Sequence, residues 1–138
     1  MNIDDKTYFE RFDTTTINRQ DKEHFLHPFQ VFDVFSEEGA LPIAAARDAY
    51  IYDSDGRKYL DAVGGLWCTN IGLGREEMAD AIADQVRQMA YASPFVDMTN
   101  IPAAQLSAKL AELAPGDLNH VALSCGGSTA IDTAYRLI

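Results

Sequence analysis

Apolar residues recur at helical spacing between Arg75 and Tyr91. They lie three or four positions apart, at Met78, Ile82, Val86 and Met89. Two glutamates open the segment and Arg87 lies near its end, so the charges suit the dipole of a helix. The pattern predicts an amphipathic helix whose apolar stripe packs into a core.

A second amphipathic helix is predicted after Pro102, a residue that fits the first turn of a helix. Asn100 is a candidate capping residue, and Pro115-Gly116 would end the helix. The buried stripe is expected to consist of Leu106, Leu110 and Leu113. We assign the side chains of both stripes to a core and not to ligand contacts.

Strand-forming residues occupy two short segments in the middle of the chain. Tyr50–Tyr52 and Lys58–Leu60 flank the turn-forming residues Asp53-Ser54-Asp55-Gly56, which predicts an antiparallel hairpin. A calcium loop would need glycine at its sixth position and glutamate at its twelfth, where this chain has Lys58 and Gly64. We therefore exclude a calcium loop.

The segment Glu23–Phe29 is locally apolar and predicts a short helix that Pro28 ends. Pro28 biases the residue before it toward an extended conformation, so Phe29 is expected to be presented from a turn or loop. The three histidines are His24, His27 and His120. They lack a third ligand clustered in sequence, so we interpret them as surface or packing residues and assign no metal.

Composition narrows the class of protein. The 138 residues are 47% hydrophobic and 23% charged, as in an ordinary soluble globular protein of one modest domain. Eleven basic and 21 acidic side chains give a net charge of -10. Because the basic residues do not cluster, nucleic acid and anionic lipid surfaces are not expected as partners.

Targeting and redox features point to a cytoplasmic protein. Met1–Glu10 is charged and resembles neither a secretory signal nor a transit peptide. The longest nearly uncharged run, Ala62–Leu73, is too short for a membrane span and is interrupted by glycines. Cys68 and Cys125 lie far apart, so we expect reduced thiols and no disulfide framework or zinc site.

The segment Leu123–Ala134 predicts an anion site. His120–Ser124 has the pattern of a short buried strand, Cys125-Gly126-Gly127 forms a turn, and Ser128 opens a helical segment. Such a turn brings unpaired N–H groups and a helix dipole to one point, and glycine leaves room for a phosphate. The Ser128 hydroxyl either donates to that phosphate or caps the helix. A tight connection with a serine cap remains an alternative, whereas the dinucleotide fingerprint and the P-loop are excluded.

Gly64–Arg75 combines four glycines with the only tryptophan of the chain. Its backbone can approach a bound molecule closely while Leu66 and Trp67 form an apolar wall. Burial of a large aromatic side chain in a core is the alternative, which general burial tendencies favour. Pro94 is expected to end helical structure and display Phe95 from a loop, either as a functional residue or as an ordinary capping aromatic.

Four motifs in this chain, in this order, resemble those of class III aminotransferases of the ω-transaminase type. They are His27-Pro28-Phe29, the hairpin from Asp53 to Asp61, the stretch Gly65–Arg75 and the run Gly127–Arg136. The resemblance covers nearly everything from His24 onward, and four ordered motifs are much more specific than any one. It implies the α/β fold of type I pyridoxal-phosphate enzymes, a pyridoxal 5'-phosphate cofactor and a homodimer with shared active sites.

The resemblance also implies roles for individual residues. The family's glycine-serine turn holds the cofactor phosphate, and it corresponds to Gly126, Gly127 and Ser128. The family's substrate-pocket positions correspond to Phe29, Leu66, Trp67 and Phe95, the last reaching the active site across the dimer interface. Thr129 replaces the more usual glutamate, as in branches similar to taurine–pyruvate aminotransferases, which leaves the amine substrate open.

The implied reaction moves an amino group from an amine or ω-amino acid to a keto acid such as pyruvate, through a Schiff base between the cofactor and a lysine. The lysines of this chain, Lys6, Lys22, Lys58 and Lys109, have the pattern of surface residues. The resemblance implies that the Schiff-base lysine, its acidic partner and any carboxylate-binding arginine follow the phosphate turn at a distance, beyond Ile138. We expect the 138-residue stretch alone to be inactive.

The resemblance implies that residues 1–115 form the N-terminal segment and part of the small domain, and that residues 116–138 open the cofactor-binding large domain. The chain ends within an apolar helical pattern without a stop signal, so we expect it to be part of a longer protein. Two other functions stay open: a non-catalytic module that binds a phosphate-bearing ligand, and a same-fold aminomutase or decarboxylase. Phe29 and Trp67 favour the ω-transaminase pocket.

Overall fold

The computed structural model describes residues 3–138, which form two compact units, one up to Ala83 and one over Asp84–Ile138. The first contains helices α1 (Thr14–His24) and α2 (Phe32–Glu38) and strands β1 (Ile43–Arg47), β2 (Tyr50–Asp53) and β3 (Lys58–Leu60). Helix α3 (Glu76–Gln88) begins in the first unit. Helices α4 (Ile101–Leu113) and α5 (Gly127–Leu137) belong to the second.

The three strands form one antiparallel sheet in the order β1-β2-β3. Tyr50 pairs with Leu60, and Ile51 pairs with Tyr59. The predicted hairpin is thus confirmed. Beyond it, β1 adds a strand on the other side of β2, with a register irregularity between Ile43 and Ala45.

The carboxylate of Asp53 organises the hairpin turn. It is almost completely buried and accepts hydrogen bonds from the backbone N–H groups of Asp55 and Arg57, at 3.0 and 2.8 Å, and from the Tyr59 hydroxyl at 2.8 Å. Gly56 has a φ of 80°, a conformation that glycine adopts without strain. Local sequence chemistry therefore fixes this turn.

Opposing influences act on the pKa of Asp53. Burial is the largest and raises the pKa, because it disfavours the charged form. The hydrogen bonds from Arg57, Tyr59 and Asp55 and the Arg57 guanidinium together outweigh it, so the pKa lies below its ordinary value. The hydrogen bond to Asp53 is likewise the main reason why the pKa of Tyr59 lies above its usual value.

A small core joins the first residues to the sheet. Ile3, Phe9 and Ala45 are buried together, and Tyr52 packs against them. A Cβ atom at Gly56 would lie 2.9 Å from the Phe9 ring, so the hairpin turn and this ring are in close contact. The residues before His24, which the resemblance leaves without a role, thus supply part of the core.

Helix α1 corrects the helix predicted over Glu23–Phe29. It begins at Thr14, where Asp13 caps it by accepting the Thr16 N–H at 3.0 Å, and it ends at His24, followed by an extended Phe25. The capping carboxylate and a polar helical segment define this helix, whereas the apolar residues that suggested one lie largely outside it. Pro28 and Phe29 form a turn, as predicted.

Helices α3 and α4 confirm the two helices predicted from periodicity, and Asn100 caps α4 by accepting the Ala103 N–H at 2.9 Å. Their apolar stripes, however, are not buried in the described chain. Met78, Ile82, Val86, Leu106, Leu110 and Leu113 are all exposed. The expectation of buried stripes was wrong for this chain, because periodicity predicts the face that can be buried but does not supply the surface that covers it.

His120–Ser124 is not a strand, and Leu123 is exposed. The prediction of a buried strand there was wrong, because a strand requires a hydrogen-bonded neighbour and the unit that contains this segment has no strand among its described residues. Among residues 3–138, no helix is both long enough and apolar enough to cross a bilayer.

Candidate active site

The predicted phosphate turn lies at the start of α5. Gly126 is the N-cap residue, α5 begins at Gly127, and no side chain of the described residues caps this end. The first bond of the helix runs from the Ala130 N–H to the Gly126 carbonyl at 2.9 Å. The N–H groups of the first turn, including that of Ser128, therefore have no partner within the helix.

The two glycines of this turn leave open space. A Cβ atom built at Gly126 or Gly127 would meet no atom within 4 Å, and neither residue has a left-handed φ. The backbone therefore does not require glycine at either position. An anion that approaches the uncapped N–H groups would need this space, and the turn fits a phosphate group. Serine capping, the alternative from sequence, is not observed.

Ser124 is a contributor to this turn that sequence reasoning missed. Its hydroxyl donates to the Gly126 carbonyl at 3.3 Å and closes a short loop immediately before α5. The signal was present in the sequence, because a serine two residues before a glycine turn commonly bonds the nearby backbone. Cys125 lies between these residues with an exposed free thiol.

Leu66 and Trp67 lie in a left-handed turn of four residues. The φ angles of Gly64, Gly65, Leu66 and Trp67 are 57°, 58°, 66° and 62°. For a non-glycine residue this conformation costs about 1–2 kcal/mol. Strain of this kind persists only where surrounding contacts impose it, and it concentrates at binding and active sites.

The neighbouring residues hold this left-handed turn in place. Oδ2 of Asp61 accepts the Gly65 N–H at 2.9 Å, and the Cys68 thiol donates to the Gly65 carbonyl at 2.8 Å. The Gly64 carbonyl accepts the N–H groups of Cys68 and Thr69 at 3.0 and 3.2 Å. A Cβ atom at Gly65 would approach the side chains of both Cys68 and Thr69 to 3.2 Å, so a larger residue there would be crowded as well as strained in φ.

The side chains that this turn presents are exposed. Trp67 is 82% exposed and Leu66 is 70% exposed, so burial of the tryptophan in a core, the alternative from sequence, is not observed. The apolar stripes of α3 and α4 are exposed in the same way, so the left-handed backbone, and not exposure, distinguishes Leu66 and Trp67. The sequence pattern indicated the apolar wall but not the left-handed backbone that carries it.

Phe29 projects from a turn whose base is fixed by His27. Nε2 of His27 lies 2.9 and 3.0 Å from the two carboxylate oxygens of Asp21, and its ring contacts those of Phe25 and Phe35 at centroid distances of 4.4 and 4.8 Å. Phe29 itself has a φ of 58° and a fully exposed side chain. His27 is thus a packing residue, as interpreted from sequence.

Phe95 lies in the loop between α3 and α4, as predicted. Its N–H donates to the Ser93 hydroxyl at 3.2 Å, the next residue has a left-handed φ of 65°, and its ring is 77% exposed. The Asn100 amide that precedes α4 donates to the Ala92 carbonyl at 3.5 Å and closes the loop. Phe95 is therefore displayed by an ordered loop and is not a packed capping aromatic.

The predicted site residues form separate groups within the two units. Leu66 and Trp67 share one turn, and Gly126, Gly127 and Ser128 share another. Among the described residues, no ring contact or hydrogen bond joins Phe29 to Trp67, or Phe95 to the phosphate turn. Each group is locally ordered, and neither unit by itself assembles a pocket from them.

The described lysines have surface positions, as predicted. Lys22 donates to the carbonyls of Ser36 and Glu37 at the end of α2, at 3.0 and 2.9 Å, a role that the sequence did not reveal. Lys58 lies over the Tyr50 ring, and Lys109 pairs with Glu112 at 2.8 Å. The side chain of Lys6 lies outside the part of the chain that the structure describes.

Comparison with known proteins identifies the family. The family model of class III aminotransferases matches residues 33–138. The chain is 39% identical over 117 residues to the putrescine–pyruvate aminotransferase of Pseudomonas aeruginosa, covering 85% of this chain and 26% of that protein. It is 34% identical to the adenosylmethionine-8-amino-7-oxononanoate aminotransferase of Aquifex aeolicus, covering 91% of this chain and 27% of that protein.

Solved structures of transaminases resemble this chain in fold and sequence. An (S)-enantioselective ω-transaminase from Thermomicrobium roseum matches with a TM-score of 0.88 and 33% identity, over 91% of this chain and 28% of that one. A transaminase from the marine bacterium Virgibacillus matches with a TM-score of 0.84 and 36% identity, over 88% of this chain and 28% of that one. The chain belongs to the class III aminotransferases, which are pyridoxal-phosphate enzymes.

The predicted fold class, the α/β fold of type I pyridoxal-phosphate enzymes, is thereby confirmed for the portion that this chain represents. The chain spans about a quarter of the length of the curated relatives it matches, 26% and 27%. The division between residues 1–115 and 116–138 concerns the complete fold and stays a prediction.

Proposed function

We propose that this chain supplies the cofactor-phosphate turn and part of the substrate pocket of a pyridoxal-phosphate-dependent aminotransferase. The enzyme would transfer an amino group from an amine or ω-amino acid to a keto acid such as pyruvate. The observation that carries the proposal is the uncapped start of α5, with open space at Gly126 and Gly127. Family membership over residues 33–138 supports it.

The turn would bind the cofactor through its phosphate. The N–H groups of Gly127, Ser128 and Thr129 would donate to the phosphate oxygens, and the dipole of α5 would favour the negative charge. The Ser128 hydroxyl would add one more hydrogen bond. When bound, pyridoxal phosphate supplies a ring that accepts the electron pair released when the substrate loses a proton.

The exposed apolar residues would form one side of the substrate pocket. Leu66, Trp67 and Phe29 would contact the apolar part of an amine and exclude water from it. Phe95 would reach the pocket from a second subunit, which requires a homodimer. The relative named for putrescine and pyruvate supports a primary amine as donor and pyruvate as acceptor. The cytoplasmic location expected from the sequence remains part of this proposal.

A chimera tests the proposal directly. This chain would replace the matching segment of the Pseudomonas aeruginosa relative, whose remaining residues would supply the cofactor-binding lysine. We expect the chimera to bind pyridoxal phosphate and to form alanine from pyruvate when an amine is present. A folded chimera that binds no cofactor would refute the proposed role of the turn.

The products distinguish the other functions considered. A non-catalytic module would bind the cofactor without consuming pyruvate. An aminomutase would rearrange its substrate without a keto-acid acceptor, and a decarboxylase would release carbon dioxide. Alanine formed in proportion to the amine consumed would support the aminotransferase alone.

A further inference from the structure

Asp61 is the first residue after β3. It forms hydrogen bonds with backbone groups of residues that precede it and of residues that follow it in the chain. Its N–H donates to the Ala49 carbonyl at 2.9 Å, which ties it to the residue that precedes β2. Its own carbonyl accepts the Gly64 N–H at 3.2 Å, and its carboxylate accepts the Gly65 N–H at 2.9 Å. Asp61 therefore connects the sheet to the first two residues of the left-handed turn.

The left-handed turn needs such a contact. Leu66 and Trp67 have φ angles of 66° and 62°, which non-glycine residues rarely adopt. In the absence of a constraint, the two flexible glycines before them would let the chain relax to right-handed or extended conformations. The direction of both side chains would then change, because it follows from φ and ψ.

We propose that Asp61 is a positioning residue for the substrate pocket: its carboxylate holds residues 64–67 left-handed and so sets where Leu66 and Trp67 lie. The inference rests on the proposed function of these two side chains. Asp61 itself touches neither substrate nor cofactor in this scheme. Its effect on the reaction passes through the backbone of Gly65.

Two substitutions of Asp61 distinguish the effect of its hydrogen bond to Gly65 from other effects of its side chain. Asp61→Ala removes the acceptor and frees the Gly65 N–H. Asp61→Asn keeps an acceptor oxygen of nearly the same size, though without the charge. Asp80→Ala is a matched control, because Asp80 is an exposed carboxylate of α3 in the same unit.

The backbone conformation can be measured in the 138-residue chain by NMR. A positive φ places the amide and α protons of one residue close together and gives a strong intraresidue NOE. We expect this signal at Leu66 and Trp67 in the parent, in Asp61→Asn and in Asp80→Ala. We expect it to weaken in Asp61→Ala while the pairing of Ile51 with Tyr59 persists, which confirms that the hairpin is still folded.

The functional consequence is measured in the chimera described above. We expect Asp61→Ala to raise KM for the amine about tenfold while kcat changes less, and Asp61→Asn to remain within about threefold of the parent. A residue that only stabilised the fold would lower the amount of active enzyme and the melting temperature without changing KM.

Unchanged NOEs in Asp61→Ala, or an unchanged KM, would overturn the inference. Loss of the NOEs and a raised KM, both restored by asparagine, would support it. The two measurements also separate this inference from the proposed function. An inactive parent chimera would count against the function and the positioning role that rests on it, whereas the NOEs alone decide whether Asp61 holds the turn.

Discussion

The hydroxyl of Tyr59 donates a hydrogen bond to Oδ2 of Asp53 across a distance of 2.8 Å. Asp53 ends β2 and Tyr59 lies in β3, so this bond crosses the hairpin. The other oxygen of Asp53 accepts the N–H groups of Asp55 and Arg57. A single buried carboxylate therefore accepts hydrogen bonds from the backbone N–H groups of the turn and also joins its two strands.

Replacing this carboxylate should destabilise the hairpin. Asp53→Ala leaves three donors without their acceptor, and we expect it to lower the free energy of unfolding by about 1–3 kcal/mol. Asp55→Ala is the comparison, because that exposed carboxylate pairs with the exposed Arg57 and accepts the Thr14 hydroxyl at 3.0 Å, and exposed contacts of this kind contribute little. Urea denaturation measures the free energy of unfolding of each variant. An equal decrease in Asp53→Ala and Asp55→Ala would contradict the role assigned to Asp53.

The same pair predicts how stability depends on pH. The pKa of Asp53 is lowered in the folded chain from an ordinary value of 3.8, so its contribution is present above that value. The contribution is lost as the pH falls through the lower folded pKa. We expect the free energy of unfolding to fall at acidic pH, and to fall less in Asp53→Asn. If the free energy of unfolding had the same pH dependence in the parent and in the variant, Asp53 would not be the source of the acid sensitivity.

Gly127→Ala should weaken cofactor binding without disturbing the fold. The added methyl group would meet no protein atom within 4 Å and needs no left-handed φ, but it would occupy the space proposed for the phosphate. In the chimera we expect about tenfold weaker binding of pyridoxal phosphate, measured by titration of its absorbance. The melting temperature without cofactor should not change, and undiminished affinity would place the phosphate elsewhere.

Mixed subunits test whether Phe95 acts across a dimer interface. Chimera subunits carrying Phe95→Ala would be combined with subunits carrying Trp67→Ala. If Phe95 serves the partner's pocket, each mixed dimer contains one pocket with both substitutions and one with neither. We expect activity above that of either variant alone. No gain on mixing would mean that Phe95 and Trp67 act within the same subunit.

The 138-residue chain by itself should have no aminotransferase activity. Its described lysines have surface positions, and it spans about a quarter of its relatives' length. We expect no alanine above background when the purified chain is incubated with pyridoxal phosphate, an amine and pyruvate. The parent chimera is the positive control, and turnover by the chain alone would show that a lysine within it can serve the reaction.

Sequence patterns predicted the elements that local chemistry fixes. The hairpin follows from Asp53 and Gly56, and α4 follows from its Asn100 cap and Pro102. The prediction of a strand over His120–Ser124 was wrong. A strand needs a hydrogen-bonded partner strand, and the local sequence does not specify that partner. The helix predicted over Glu23–Phe29 failed because the strong capping signal at Asp13 was overlooked.

The sequence by itself determined the family, the glycine-serine turn at Gly126–Ser128 and the identity of the exposed pocket candidates. Only the tertiary structure decided the conformation that carries them. The left-handed turn at Leu66 and Trp67 is accompanied by the hydrogen bonds from Gly65 to Asp61 and from Cys68 to Gly65, and the spacing of apolar residues does not predict a φ angle. Residue spacing encodes which face an element presents, whereas strained backbone is imposed by contacts that exist only once the chain has folded.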